Sequence, residues 1–235
     1  MQQAAARGDV LVIVDTLRFS SAVVTAVHHG GIIYPCSWDE DPAALARRVV
    51  GEVAALRRAD ESGNVRFSLS PSSYLHIEPG TRVVVRSPNG ATCSRYAGQV
   101  PYLFVGALLN AQSAARAVER VLEPQASLNV TVIACGERWS TPGEDGALRV
   151  AIEDYLGAGA ILSYLRYNKS PEARVCEGAF VSSRNDLHDL LWESGSGREL
   201  REKGYGEDVQ YAACLNLYDT VPVMHDECLV GFNSW

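Results

Sequence analysis

The sequence predicts an α/β fold: a mainly parallel sheet flanked by helices, with a more helical C-terminal part. Short runs rich in β-branched residues alternate with longer amphipathic stretches, as in parallel sheets with right-handed crossovers. The first run, 10–14, is apolar at every position, as expected of a strand that is covered on both faces. After about residue 170 the pattern becomes mostly helical.

The first half of the chain predicts three strands and the helices between them. Ser20 or Ser21 can cap the helix after the first strand, and Gly30 can end it. Asp41 is a good helix cap, and Pro42 suits a first helical turn. The predicted elements are a strand at 10–14, a helix at 22–29, a strand at 31–34 that stops at Pro35, a helix at 42–57, a strand at 82–86 and a short helix from about 90 to near 98.

The second half continues the alternation and then departs from it. It predicts a strand at 102–105, a helix that ends near Leu122, a strand at 129–134, a polar loop at 136–146 and a helix rich in Ala, Leu and Ile. Two strands within 221–232 would be joined by a polar turn around His225 and Asp226. No repeat or long linker divides the chain, so residues 1–235 are predicted to form a single domain.

Composition excludes some classes of function. The formal net charge is -7, and an acidic surface argues against nucleic acid as a partner, although a local cationic pocket can still bind a small anion. The six cysteines form no C-x-x-C pair and are expected to be buried, reduced thiols. Neither a signal peptide nor a run of about 20 apolar residues is visible, which predicts a cytoplasmic protein without a membrane partner.

The candidate site lies where strands end, because open α/β sheets bind ligands beyond the carboxyl ends of their strands. Four exits carry small or polar residues, and helix N-termini there attract anions. The residues are Asp15, Arg18, Ser20 and Ser21 at the first exit, Ser87, Asn89 and Gly90 at the third, Gly106 and Asn110 at the fourth, and Gly136, Glu137 and Arg138 at the fifth. Together they indicate a site for a small anionic ligand.

Structural roles compete with functional ones at most of these positions. Ser20, Ser21 and Asn110 are equally typical of helix caps, and Asn89-Gly90 is typical of a turn. Arg18 could instead form an ion pair with Glu or Asp that stabilises the fold. Asp15 is harder to explain structurally, because a carboxylate at the end of a buried strand needs a metal, a cation or several N–H donors. Glu153 and Asp154 are either a solvated helix face or, with water, ligands of Mg²⁺.

Several common enzyme signatures are absent from the sequence. There is no phosphate-binding G-x-x-x-x-G-K-[ST] loop, no G-x-G-x-x-G after the first strand and no G-x-S-x-G elbow. Asp15-Thr16-Leu17 is not the D-x-D of phosphoaspartyl phosphatases, and Cys135 lacks the C-x5-R loop of cysteine phosphatases.

Five segments in order resemble the 2-phosphosulfolactate phosphatase family. They are the stretch 9–26, Ser87-Pro-Asn-Gly90, Gly106-Ala-Leu-Leu-Asn110, Glu153-Asp154-Tyr-Leu-Gly-Ala-Gly159 and Ser196 to Gly204 with Asp208 and Ala212 after it. The resemblance covers nearly the whole chain. It implies an unusual α/β fold, a homodimer and Mg²⁺-dependent hydrolysis of 2-phospho-3-sulfolactate to 3-sulfolactate and phosphate, a step of coenzyme M synthesis.

With this reaction in view, we expect the following roles for the candidate residues. Asp15, Arg18, Asn89 and Glu153 would be catalytic, and Asp15 with Glu153 or Asp154 would hold Mg²⁺. Arg18 and backbone N–H groups near Ser20 would cradle the phosphoryl oxygens. The remaining substrate contacts would come from Ser20, Ser21, Gly90, Asn110, Arg66 and Arg138, with Arg86 as a further candidate for the second anionic group.

The sequence departs from the family between 64 and 71, where the acidic part of a Gly-Glu-Arg stretch is missing and Ser70-Pro71 remains. The reaction type is therefore better indicated than the substrate. Another phosphorylated acid is the first alternative substrate. A non-catalytic protein of the same fold that binds small anions is the alternative from a different class.

Overall fold

The computed structural model describes residues 2–56, 65–97, 100–125, 127–139 and 146–232. Its strands are β1 (Val10–Val14), β2 (Ile32–Cys36), β3 (Glu52–Val53), β4 (Arg82–Arg86), β5 (Leu103–Gly106), β6 (Val130–Ala134), β7 (Glu137–Arg138), β8 (Leu148–Arg149), β9 (Pro222–His225) and β10 (Cys228–Gly231). Its α-helices are α1 (Gln2–Arg7), α2 (Phe19–His28), α3 (Pro42–Val49), α4 (Gly90–Tyr96), α5 (Ala111–Leu122), α6 (Ile152–Tyr164), α7 (Pro171–Ser183), α8 (Leu187–Glu193), α9 (Gly195–Glu202) and α10 (Gly206–Ala212).

Eight strands form one mixed sheet in the order β3-β4-β2-β10-β9-β5-β1-β6, and β7 pairs with β8 separately. The pairs on both sides are parallel: β3 with β4, β4 with β2, β5 with β1 and β1 with β6. The hairpin of β9 and β10 joins these two groups through antiparallel pairs. The prediction of a mainly parallel sheet flanked by helices is confirmed.

The sheet curves around α2. Four strands separate β1 from β4 in the sheet order, which corresponds to roughly 24 Å across a flat sheet at about 4.8 Å per strand. Even so, Ile13 of β1 and Val85 of β4 lie in the same buried apolar cluster as Phe19 of α2. The curvature therefore brings the carboxyl ends of β1 and β4 together. A second cluster on the other face packs α5, α6 and α7 against β1.

The predicted boundaries of two helices were wrong. Ser20 and Ser21 do not cap the first helix, because α2 already begins at Phe19 and both serines lie inside it. The helix predicted over 42–57 ends at Val49, since Val50 takes a left-handed backbone conformation with φ 53°. Its start was right, because the Asp41 side chain accepts a hydrogen bond from the Ala43 N–H at 2.9 Å.

The second strand continues through Pro35 instead of stopping there. Pro35 pairs with Val85 of β4 on one side. On the other side, the described pairing of β2 with β10 is at Ile33. A proline is therefore tolerated, because no neighbour on that side needs its missing N–H.

The C-terminal part is mostly helical between Pro171 and Ala212, as predicted, and the two strands after it are present. Nothing in the sequence predicted that these two strands lie in the middle of the sheet. Residues 140–145 of the polar loop predicted at 136–146 lie outside the described residues, as do Arg57 and Gly98. The longest helices described have 13 residues, and none is long and apolar enough to cross a membrane. The single domain over 1–235 stays a prediction.

Candidate active site

Asp15 joins the ends of β1 and β4. It directly follows β1, and the residue is 4% exposed. Its Oδ2 accepts a hydrogen bond of 2.7 Å from the Gly90 N–H and one of 3.4 Å from Ser87 Oγ. A Cβ at Gly90 would lie 2.8 Å from this same oxygen. Glycine is therefore what allows the start of α4 to approach the carboxylate.

Asp15 has an acidity suited to chemistry near neutral pH. Burial raises the pKa of Asp15 to about 7, with the negative charge of Glu137 acting in the same direction and the N–H groups of Gly90 and Phe19 opposing them. A carboxyl group with this pKa is close to half-protonated at neutral pH. Such a group can move a proton, or it can become a full carboxylate when a cation binds.

Asp154, near the start of α6, ties the exits of β1 and β6 together. Its Oδ1 accepts a hydrogen bond of 2.7 Å from the Thr16 N–H, and its Oδ2 accepts one of 2.9 Å from the Gly136 N–H. Burial raises the pKa of Asp154 well above its ordinary value, and the charges of Asp15 and Glu153 add to the effect. Both oxygens thus accept hydrogen bonds from backbone N–H groups, which gives Asp154 a positioning role.

Glu153 is buried beside Asp154 and connects the site to α9. Its Oε2 is buried without a hydrogen-bond partner among the described residues. Burial raises the pKa of Glu153, while a hydrogen bond with Ser196 and the charge of Arg149 lower it. Arg149 in turn donates to Ser196 Oγ at 3.1 Å. An unpartnered buried carboxyl oxygen is costly, so Glu153 has capacity for a further ligand.

Glu137 brings the fifth strand exit to the same place. Its Oε1 accepts a hydrogen bond of 2.8 Å from Asn89 Nδ2. The Asn89 side chain, which follows β4, is therefore oriented by a residue that follows β6. Glu137 stood at a predicted exit but received no role, and its influence on the pKa of Asp15 shows that the two carboxyl groups are electrostatically linked.

Arg18 is held in place by two neighbours, one on α10 and one just before it. Its Nη1 donates to Asp208 Oδ2 at 2.9 Å, and its guanidinium carbon lies 4.1 Å from the centre of the Tyr205 ring. Asp208 also accepts a hydrogen bond from Ser70 Oγ. The Arg18 side chain is 9% exposed. Both the ion pair and the ring fix the orientation of its planar donor fork.

Asp15, Arg18, Asn89 and Glu137 border one cleft of about 480 Å³, whereas the predicted Glu153 and Asp154 are not among the residues that line it. Its volume is in the range of small-molecule sites. The lining residues are Asp15, Leu17, Arg18, Phe19, Leu56, Leu69, Ser87, Pro88, Asn89, Glu137, Ser196, Glu199, Leu200, Lys203 and Tyr205. The cleft therefore combines carboxylates and cations that follow β1, follow β6 or belong to the α9 region with the polar residues that follow β4, which allows it to bind an anion together with a cation.

Three predicted substrate-binding residues serve the fold instead. Ser20 Oγ accepts a hydrogen bond of 2.9 Å from the Asp15 N–H, and Ser21 Oγ donates to Thr16 O at 2.8 Å. Asn110 is fully buried and bonds to the backbone of Ala107 and of neighbouring segments. Backbone N–H groups near Ser20 are used in the same way, because Ser20 N donates to Asp15 O at 2.7 Å.

The three arginines predicted to hold a second anionic group lie outside the cleft lining. Arg66 forms an ion pair with Glu52 at 3.0 Å. Arg86 donates to a backbone carbonyl and its guanidinium lies over the Trp38 ring. Arg138 donates to Gly146 O at 2.7 Å. Each guanidinium has a partner of its own, so the second anionic group needs another cation.

Comparison with known proteins identifies the family. Residues 1–227 match the sequence profile of the 2-phosphosulpholactate phosphatase family. The chain belongs to this family. The resemblance stated from the sequence motifs is confirmed, and at the level of the family so is the expectation of a phosphoric monoester hydrolase.

Relatives that carry the family name match almost end to end. A "Probable 2-phosphosulfolactate phosphatase" of Carboxydothermus hydrogenoformans is 29% identical over 225 residues, which are 92% of this chain and 86% of the relative. One of Deinococcus radiodurans is 28% identical over 229 residues, 92% and 88% of the two chains. The "2-phosphosulfolactate phosphatase" of Methanocaldococcus jannaschii is 25% identical over 225 residues, 92% and 89%.

Three cleft residues of this family member, and Asp208 behind Arg18, received no role from the sequence. Glu199, Lys203 and Tyr205 lie on or just after α9, and Asp208 lies on α10. Three of them fall in segments that carry the resemblance, but no strand exit marks them. Only their proximity in the fold identifies them.

The carboxyl groups do not form a ready-made metal cage. Within the part of the chain that the structure describes, no three His, Cys, Asp or Glu side chains are grouped closely enough to hold a metal ion. Mg²⁺ commonly takes only one or two protein carboxylates and completes its shell with water and substrate phosphate. Asp15 and Glu137, together with the unpartnered Glu153 oxygen, are oxygen donors of the type that such a site uses.

Proposed function

We propose that this chain is a Mg²⁺-dependent phosphatase that hydrolyses 2-phospho-3-sulfolactate, or a closely related small phosphorylated acid, to the hydroxy acid and phosphate. The observation that carries the proposal is that Asp15 and Arg18 line the same cleft in a member of this family. A carboxyl group with a pKa near neutral borders the same space as a fixed guanidinium. Phosphoryl transfer needs both kinds of group.

Asp15 would hold Mg²⁺ together with Glu137 or Glu153. Asp154, which was predicted as an alternative ligand, would instead position the ends of β1 and β6 around the ion through its two backbone contacts. When bound, Mg²⁺ would neutralise charge that develops on the transferring phosphoryl group and its leaving oxygen.

Arg18 would bind the phosphoryl oxygens with its guanidinium fork. The Asp208 carboxylate and the Tyr205 ring hold that fork at the cleft wall, so little rotamer entropy would be lost on binding. Asn89, fixed by Glu137, would orient the ester. Water is the proposed nucleophile: its oxygen adds to phosphorus, and the bond from phosphorus to the ester oxygen breaks. One proton of the water is released, and the leaving ester oxygen takes up a proton in exchange.

A phosphoenzyme at Asp15 is the alternative route. It requires the Asp15 carboxylate to attack phosphorus, so Asp15 could not then act only as a ligand of the cation. Rapid acid quench followed by mass analysis of the peptide around Asp15 distinguishes the two routes, because only the phosphoenzyme leaves phosphate on that peptide.

Phosphate release tests the function itself. Purified protein is given 2-phospho-3-sulfolactate, the same molecule without its sulfonate, and simple phosphate monoesters, each with Mg²⁺ and with EDTA. The proposal expects release with Mg²⁺, strong loss with EDTA and preference for the sulfonated ester. The alternative, a binder of small anions, expects thermal stabilisation by these anions with no phosphate release. The homodimer and the place in coenzyme M synthesis stay predictions.

A further inference from the structure

The proposed substrates carry two anionic groups, and Arg18 alone cannot bind both. A phosphorylated sulfonic or carboxylic acid carries an anionic group beside its phosphate, and the cleft also contains the carboxylates of Asp15, Glu137 and Glu199. If Arg18 and the proposed Mg²⁺ both serve the phosphoryl group, a further cation is needed for the neighbouring anion. The arginines predicted for this task, Arg66, Arg86 and Arg138, have other partners outside the cleft lining.

Among the residues that the structure describes, Lys203 is the second cation of the cleft lining. Arg18 follows β1, whereas Lys203 follows α9, so the two positive charges reach the cleft from different elements. The chain has 21 Lys and Arg residues in all, of which only Lys169 and Lys203 are lysines. One of the two lysines therefore borders the candidate active site.

The surroundings of Lys203 suit a group that meets a ligand. Its ion pair with Glu199 has a long Nζ–Oε2 distance of 4.0 Å, and its side chain is 61% exposed. Glu199 has a closer partner in Arg149, at 3.0 Å. Lys203 is thus held loosely, while Arg18 is held firmly by Asp208. A loosely held ammonium can turn toward an incoming anion without breaking a strong contact.

We propose that Lys203 is a specificity-determining residue that binds the anionic group beside the phosphoryl ester, an inference that rests on the proposed function. An ammonium is a compact point charge without the planar geometry of a guanidinium, so it selects for charge rather than for shape. The cleft should therefore accept a sulfonate or a carboxylate at that position and discriminate against neutral substituents.

Kinetics of Lys203→Met on two esters test this role. The loss of kcat/KM on 2-phospho-3-sulfolactate should exceed the loss on phenyl phosphate by about tenfold, the scale of one hydrogen bond to a charged group. The difference should appear in KM rather than in kcat, and Lys203→Arg should restore most of it. Equal losses on both esters, or no loss on the sulfonated one, would overturn the proposal.

Lys169→Met is the matched control. It removes the only other lysine, which forms an ion pair with Glu177 at 3.2 Å and does not border the cleft. This variant should leave the ratio of the two kcat/KM values as it is in the wild type. A change as large as that of Lys203→Met would mean that net charge, and not a contact, sets the preference.

Chemical protection gives a readout without turnover. Trace acetylation of the wild type, followed by mass analysis, compares the reactivity of Lys203 with that of Lys169 as internal standard. Added 3-sulfolactate should slow acetylation of Lys203 severalfold and leave Lys169 unchanged. If no ester releases phosphate, the proposed function fails while this experiment still decides the anion contact. Absence of protection at saturating 3-sulfolactate would contradict the role of Lys203.

Discussion

The Gly90 N–H donates a 2.7 Å hydrogen bond to Asp15 Oδ2. This bond links the ends of β1 and β4, two strands from opposite sides of the central hairpin. It depends on the curvature of the sheet around α2 and on the absence of a side chain at residue 90. The proposed site is thus a product of the whole sheet and not of one local motif.

Gly90→Ala should damage activity and stability together. The added Cβ would collide with the Phe19 ring and would lie 2.8 Å from Asp15 Oδ2. Overpacking of this kind costs about 1–3 kcal/mol in the free energy of unfolding. Because the carboxylate must shift, kcat/KM for phosphate release should fall by about a hundredfold. Urea unfolding and steady-state kinetics on the same preparation measure both effects.

Gly178→Ala is the matched control for that substitution. Gly178 lies in α7, and a Cβ there would meet nothing within 4 Å. Alanine should raise the free energy of unfolding by about 0.5–1 kcal/mol, the usual gain inside a helix. Activity should not change. A Gly90→Ala variant as stable and active as Gly178→Ala would show that Asp15 does not need this close contact.

Arg18 and Asp208 should act as one unit. Arg18→Ala is expected to lower kcat/KM by at least about a hundredfold, on the scale of losing one stabilising donor. Asp208→Asn should cost about tenfold, because Asp208 acts only by holding the guanidinium in place. The double variant should be no worse than Arg18→Ala alone. Losses that multiply would contradict the positioning role of Asp208.

The pH dependence of stability should report on Asp15. Its pKa of about 7 lies above the ordinary value of 3.8, so between these values the folded protein keeps a proton that the unfolded chain has lost. The stability contributed by Asp15 is full below about pH 4 and is lost as the pH rises through 7. Without metal, the free energy of unfolding of Asp15→Asn should therefore rise relative to that of the wild type between pH 5 and pH 8, at most by on the order of 4 kcal/mol. Denaturant unfolding in EDTA measures the difference, and a gap independent of pH would contradict it.

Mg²⁺ should offset the stability that the wild type loses when Asp15 ionises. A cation beside Asp15 favours its charged form, so the rise in Tm on adding Mg²⁺ should be larger at pH 8 than at pH 6. Asp15→Asn should show little rise at either pH. Thermal scans with Ca²⁺ and Mg²⁺ at matched ionic strength check for a specific site. An equal Mg²⁺ response in both proteins would place the ion elsewhere.

The strand-exit pattern predicted much of this arrangement. It identified Asp15, Asn89 and Glu137, because polar residues directly after apolar runs mark the carboxyl ends of strands. It failed for Asn110, whose exit after β5 is occupied by backbone contacts, including one with Thr220 beside the C-terminal hairpin. The position of that hairpin in the sheet is a long-range property that periodicity does not encode.

The side of the cleft that contains Lys203, and the contact of Arg18 with Asp208, could not be predicted from the sequence either. Arg18 and Asp208 are 190 positions apart, and Lys203 lies at a helix end with no neighbouring strand. Polar residues at helix ends are common, so nothing local distinguishes a ligand contact from a solvated surface. Ser20 and Ser21 mislead for the opposite reason: their hydroxyls look available in the sequence, whereas burial in α2 commits them to the turn after β1.

The central claim is that Asp15 is the carboxylate on which catalysis depends. The most direct test compares kcat/KM for 2-phospho-3-sulfolactate with Mg²⁺ in the wild type and in Asp15→Asn. Asp9→Asn serves as control, since Asp9 is also a buried carboxylate but precedes β1 and pairs with Arg7. The account predicts a loss of at least about a hundredfold for Asp15→Asn and near-normal turnover for folded Asp9→Asn. Near-normal turnover in Asp15→Asn would contradict it.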